Sequence, residues 1–126
     1  MIKTYDKYGF RFREWDIYKD ARRFRIELYE VLRTYPMEEK FALVDQTKRA
    51  LNSIILNIAE GANRTTNKDL RIYISRAAGS LDEVVACLDC ALDNNYINKD
   101  KHQEFLEKAS NLAKRLKGFI VKLSNS

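Results

Sequence analysis

A single proline, Pro36, and four glycines are all that interrupt this chain of 126 residues. Glycine and proline are the strongest breakers of regular backbone, so the elements between them must be long. The apolar residues decide their kind. Ile17, Ala21, Phe24, Leu28, Val31, Leu32 and Tyr35 recur at steps of three and four, which draws one stripe down a helix of about 3.6 residues per turn. Val44, Thr47, Leu51, Ile54, Ile58 and Ala62 repeat the pattern, then Leu70, Ile74, Ala77, Leu81, Val84, Leu88 and Leu92, then Phe105, Ala109, Leu112, Leu116, Phe119 and Leu123. Strand-like alternation does not compete with this reading, and there is no internal repeat.

Punctuation sets the boundaries. Pro36 stops the first helix, because it lacks an amide hydrogen and clashes with the preceding turn. The second ends around Gly61. Thr65, Thr66 and Asn67 compete to cap the third, which ends in Asp93-Asn94-Asn95, and Asn98 is placed to cap the fourth. These signals predict helices over about 14–35, 39–62, 67–94 and 99–124, behind an N-terminal arm at 1–13, in one domain spanning 1–126. A helix of about 25 residues is about 38 Å long, and long helices with short connectors favour an all-α, antiparallel, up-down-up-down four-helix bundle.

The composition is that of a cytoplasmic chain. No apolar run approaches the roughly 18 residues of a membrane span, and the opening MIKTYDKYGF lacks the apolar region of a secretory signal. Two cysteines without an export signal point to reduced thiols. The signs of an enzyme are thin. His102 is the single histidine, with no sequence neighbour suggesting a nucleophile relay. Cys87 and Cys90 fall inside a helix, away from the helix-start field that lowers a redox thiol's pKa, and a zinc site needs about four ligands. No Gly-rich phosphate loop occurs. The expectation is no catalytic residue, no cofactor, no metal and no small-molecule substrate.

The helices differ in what they show away from their stripes. Helices 1 and 4 have a charged remainder. Helix 2 instead aligns Gln46, Arg49, Ser53, Asn57 and Glu60, and helix 3 aligns Ile72, Arg76, Gly79, Glu83, Ala86 and Cys90. Both back faces are poor in lysine and contain small residues that permit close approach. They predict a homo-oligomer; the alternative is a modestly polar, solvated face. Asn57, Glu60 and Arg49 could be read as a catalytic cluster, but bundle metal sites use a Glu-x-x-His motif that is absent. The structural reading has Glu60 and Arg49 satisfying each other, or Ser80 and Glu83 across an interface.

The run Gln46-Thr-Lys-Arg-Ala, then Ser53-Ile54, then Asn57-Ile-Ala-Glu-Gly61 resembles a hallmark of the bacterial four-helix bundle proteins encoded within intervening sequences of 23S ribosomal RNA genes, often called ribosomal-protein-like. Phe12-Arg13-Glu14, Ala21, Tyr35-Pro36, Glu39-Lys-Phe41, Gly79-Ser80-Leu81 with Glu83, and Asn95-Tyr96-Ile97 agree in order and spacing, so the resemblance covers roughly residues 10–120. Tyr18, Ala42 and Leu51 depart from the family's usual tryptophan, glycine and alanine. The resemblance implies a four-helix bundle assembling into a homo-oligomeric ring, a pentamer. A related group of bundle proteins serves as nucleic-acid-binding accessory factors in retroelements.

Charge bears on nucleic acid directly. The chain carries a net +5, unevenly spread: +3 over residues 1–35, −2 over 36–98 and +4 over 99–126. On helix 1, Tyr18, Arg22, Arg25, Tyr29 and Arg33 form one strip beside the core stripe. Arginine pairs with phosphate, and an adjacent aromatic can stack on an unpaired base. Helix 4 adds Lys108, Lys114, Arg115, Lys117 and Lys122 as a diffuse positive surface. The plainer reading is tyrosines flanking the core and arginines serving solubility. In the arm, Tyr5, Lys7, Tyr8, Phe10, Arg11, Phe12, Arg13 and Trp15 also interleave aromatics with bases; packing across the bundle end, anchored by Phe12 and Trp15, accounts for them. Two functions remain: an accessory protein touching RNA or DNA, and a structural or protein-interaction ring that touches none.

Overall fold

The computed structural model describes residues 6–125, so Tyr5 of the arm lies outside the described residues. The chain forms α1 (Asp16–Leu32), α2 (Leu43–Gly61), α3 (Asn67–Asp93) and α4 (Lys99–Ser124), with short 3-10 turns at Arg11–Glu14 and Met37–Glu39. The described residues contain no strand. It is an all-α protein of four helices.

Two helices are shorter than the pattern predicts, for local reasons. Trp15 is extended (φ −73°, ψ 134°) and separates the first 3-10 turn from α1. At the other end Tyr35 precedes Pro36, and a residue before proline is pushed out of the helical region, so α1 closes at Leu32 and the chain turns through 33–35. Ala42, at φ −120° and ψ −103°, then delays α2 to Leu43. Ala42 has no side-chain cap to offer, and the Glu39 carboxylate accepts the Leu43 N–H at 3.2 Å in its place. Of the three competing caps it is Thr66 that accepts from the Asp69 N–H, and Asn98 accepts from Lys101. Asn95, at φ 60°, is the left-handed residue that ends α3, a conformation asparagine tolerates, and the Tyr96 N–H returns to the Ala91 carbonyl at 2.9 Å.

The predicted stripes are the core. Phe24, Leu28, Ile54, Ile58, Ile74, Leu81, Leu88, Phe105 and Leu116 are all buried. Trp15 joins them at 2% exposure, tilted against Phe119 with ring centroids 4.9 Å apart, so the arm is anchored as expected. Each helix packs on two others: α1 on α2 and α4, α3 on α2 and α4. Along α2 and α3, Gln46 meets Glu83, Ser53 meets Ser80, and Gly61 meets Leu70 and Tyr73. Along α3 and α4, Arg71 meets Ser124 and Asp89 meets His102.

Tyr35-Pro36, Glu39 and Asn95-Tyr96, separate in sequence, come together at one end. Tyr35 and Tyr96 pack with ring centroids 5.5 Å apart, and the Tyr96 hydroxyl donates to Glu39 Oε2 at 2.5 Å. One carboxylate thus holds the α3–α4 connector and caps α2. The Tyr96 hydroxyl and the Leu43 N–H hold the Glu39 carboxyl below its ordinary range, while the hydrogen bond to Glu39, then burial, push Tyr96 up to about 12. A carboxyl whose pKa is lower folded than unfolded stabilises above its unfolded pKa and loses that contribution as pH falls through its folded pKa. Tyr96→Phe should therefore lower the urea midpoint at about pH 7, and the gap from wild type should close towards about pH 3. A gap independent of pH would show that the clamp does not depend on an ionised Glu39.

Candidate functional site

On α1 Tyr18, Arg22, Arg25 and Tyr29 form one flank, with Arg33 at its C-cap, and Arg22, Arg25 and Tyr29 face α2. Arg22 lies over the Tyr18 ring at 5.6 Å and Arg25 over the Tyr29 ring at 4.2 Å. Lys48 of α2 reaches the same Tyr29 ring at 5.0 Å, and Arg25 Nε donates to Asn52 Oδ1 at 2.7 Å. Tyr18 is held edge-on by Phe12, with centroids 4.9 Å apart. The tyrosine faces are therefore occupied by cations of the chain itself, each such contact worth about 0.5–1 kcal/mol at an exposed site. Arg33 is paired with Glu30 at 3.3 Å. Among the described residues Arg22, Arg25 and Lys48 make no ion pair with a carboxylate. Arg22, Arg25 and Asn52 border a hollow of about 310 Å³, lined also by Ile26, Ile55 and Leu56.

The diffuse positive surface expected on α4 is smaller than its lysines and arginines suggest. Lys108 binds Glu27 at 2.5 Å and Glu104 at 3.3 Å, and Arg115 binds Asp20 at 2.8 Å. Glu27 first, then Glu104, hold the Lys108 ammonium above its usual range. These two cations stitch α4 to α1. Lys114 and Lys117 remain exposed, without an ion pair among the described residues. Lys108 and Arg115 meet α1 through Asp20 and Glu27, whereas the tyrosine strip meets α2 through Arg25 and Asn52. Lys114 and Lys117 are thus not gathered with the strip.

The family-like residues of α2 and α3 line the seam between those helices. The Ser53 and Ser80 hydroxyls are 2.7 Å apart, and Ser80 also donates back to the Arg76 carbonyl at 3.1 Å. Asn57 Nδ2 donates to the Ser53 carbonyl at 2.8 Å and to its hydroxyl at 3.1 Å. Gln46 Nε2 donates to Glu83 at 3.3 Å. Arg49 and Glu60 do not satisfy each other: eleven positions along a helix separate them by about 16 Å. Arg49 pairs with Asp45 at 2.8 Å and Glu60 with Arg64 at 3.5 Å, each one turn away. Gly61 is a point of close approach, where a Cβ would stand 2.7 Å from Tyr73 Cβ and 3.0 Å from Leu70 Cδ1. Gly79 has nothing within 4 Å of the same construction and lies on the exposed side of α3.

Lys48 and Asn52 escaped the sequence reading. They occupy one edge of helix 2, one turn apart, and only the packing of α1 beside that edge gives them a role. His102 is largely covered and hydrogen-bonded to Asp89 at 2.8 Å. Cys87 is buried, which pushes its thiol up, and Cys90 is exposed. No His, Cys, Asp or Glu cluster among the described residues has an arrangement able to hold a metal ion, and none of their helices is long and apolar enough to cross a membrane.

Four helices, a seam closed by Ser53, Ser80 and Gly61, and a basic, tyrosine-lined flank define a small helical protein whose site consists of surfaces rather than a cleft. A family model described as 23S rRNA-intervening sequence protein matches residues 13–118. The chain belongs to that family. A search of curated proteins found no match.

Two helical glycines, one at the seam and one on open surface, should respond oppositely to an added Cβ. Gly61→Ala must push α2 and α3 apart, and should cost a net of about 1–2 kcal/mol after the better helix propensity of alanine is counted. Gly118→Ala, on α4 with nothing within 4 Å, should gain about 0.5–1 kcal/mol. Urea denaturation of both variants tests this; a stabilised Gly61→Ala would show that the seam relaxes freely.

Proposed function

We propose that this protein is a non-enzymatic, homo-oligomeric accessory protein of the cytoplasm that associates with RNA or DNA through the α1–α2 flank. Arg22, Arg25 and Lys48 gather around Tyr18 and Tyr29 with no carboxylate paired to them among the described residues, and that observation carries the reading. Cations unpaired within the chain are the ones that release counterions from a phosphate backbone on binding. Stacking on the chain's own tyrosines fixes the direction of the guanidiniums while leaving their N–H edges for phosphate oxygens. The contacts are with backbone, so the binding is weakly specific in sequence.

In this proposal the helices run up-down-up-down, a reading supported by the reversed order of paired residues along the α2–α3 and α3–α4 seams. The subunits assemble through the outer sides of α2 and α3, where Leu56 and Ile72 are exposed and Gly79 leaves a shallow surface. The ring of five is taken from the family resemblance. The same exposed apolar residues favour the second reading, an interaction ring without nucleic acid.

Crosslinking the protein in its own cells and sequencing the attached RNA separates the two readings. Discrete RNAs should be enriched, and Arg22→Gln with Arg25→Gln should remove them. With purified protein on a single strand, the double variant should lower the slope of log affinity against log salt by about 1.4, or about 0.7 for each lost phosphate contact. Background RNA recovery with an intact oligomer would leave the interaction ring. For assembly, Gly79→Arg meets nothing within its own chain and should reduce the mass seen by light scattering without loss of helicity; an unchanged mass would remove α3 from the interface.

A further inference from the structure

Two members of the family-like run, Glu60 and Gly61, are not explained by the polar bonds along the α2–α3 seam. Both act on what lies at the C-terminal end of α2. Gly61 lets that end press onto Tyr73, whose Cβ lies 2.7 Å from where a side chain would begin. Immediately beyond, Arg64 sits over the Tyr73 ring at 4.6 Å, and Arg76, one turn further along α3, sits over the same ring at 4.8 Å. Two guanidiniums therefore share one aromatic ring. Glu60 meets Arg64 at 3.5 Å, in the open and weakly held, and among the described residues Arg76 has no carboxylate partner. Two like charges this close to one ring, with one exposed carboxylate beside Arg64 only, form a site whose electrostatics favour an added anion.

Beside it is a cavity. Gly9, Phe10, Arg11, Phe12, Ala59, Ala62, Asn63 and Arg64 line an open hollow of about 640 Å³, about twice that on the α1–α2 flank. The Arg11 guanidinium is committed to the chain there, since both Nε and Nη2 donate to the Ala62 carbonyl, at 3.1 and 2.8 Å, though its charge is kept. This clamp fixes the arm against α2 and leaves the ring of Phe10 exposed at the rim, at 56%. A cavity with an exposed aromatic on one side and a guanidinium on the other suits an unpaired base, which stacks on the ring while its phosphate pairs with arginine.

We infer that Arg64, Tyr73, Arg76 and the adjoining Phe10 cavity form a subsite for one nucleotide of a single-stranded nucleic acid. The phosphate bridges Arg64 and Arg76, the base enters the cavity, and Glu60 is the internal competitor that the phosphate displaces from Arg64. The inference rests on the nucleic-acid reading above but uses different residues, so the two can fail separately.

The test is fluorescence anisotropy of a labelled oligouridylate with the full chain across a range of salt, with thermal melts confirming that each variant folds. Arg64→Gln with Arg76→Gln should weaken binding about tenfold and flatten the salt slope by about 0.7, the share of the one phosphate they bridge. Phe10→Ala should weaken binding at unchanged slope, because a stacked base carries no phosphate charge. Glu60→Gln should tighten it, an outcome that a purely structural role for Glu60 does not give. If wild type binds and only Arg22→Gln with Arg25→Gln loses affinity, the subsite is overturned and the α1–α2 flank stands. If only the Arg64 and Arg76 variant loses affinity, the subsite stands and the flank assignment falls. Absence of binding by wild type overturns both.

Discussion

The close approach of α2 and α3 is the constraint on which the rest of the molecule depends. Gly61 lies against Tyr73, where even a Cβ would stand 2.7 Å away, and the Ser53 and Ser80 hydroxyls are 2.7 Å apart, so at these points small residues let the helices meet. The larger residues must point to the inner side of the seam, where Ile54, Ile58, Ile74 and Leu81 are buried. That inner side is the floor on which α1 and α4 lie. Polar bonds close the outer edge, from Gln46–Glu83 through Ser53–Ser80 with Asn57. Partly buried hydroxyls and amides are costly when unpaired, so these bonds also fix the register in which the two helices meet.

Charge follows from that packing. The carboxylates of α1 that face α4, Asp20 and Glu27, are matched by Arg115 and Lys108, and part of the positive excess is consumed in attaching α4. The opposite flank of α1 meets α2, whose facing residues at the seam are Lys48 and Asn52 rather than acids. The unneutralised charge accumulates there, against tyrosine rings and the Asn52 amide. A net charge of +5 thus becomes local fields rather than a uniform coat.

The helices and their stripes were legible because one period repeats four times with few breakers. Their ends were less so. Tyr35 was assigned to the first helix by its spacing, and it is buried, but it belongs to the turn that Pro36 imposes. The start of α2 at Leu43 depends on Glu39 reaching it, a contact across four residues that propensity does not register. At the candidate site, the strip from Tyr18 to Arg33 was visible as a helix face, but Lys48 and Asn52 were not, since they belong to a different helix. Arg49 and Glu60 share a face in projection yet are too far apart along the axis to meet. Lys108 and Arg115 read as free surface charge until the acids of α1 were seen opposite them.

The sequence by itself determined four helices, their inner stripes, the Asn98 cap and the family, because all of these are set by spacing within a short stretch of chain. Which helices lie side by side was decided only by the tertiary structure. Helical spacing specifies the angle of a residue about its own axis, not what stands at that angle. For that reason the pairing of Arg25 with Asn52, the neutralisation of Lys108 by Glu27, and the placing of Arg64 and Arg76 over one tyrosine exist only once the chain has packed.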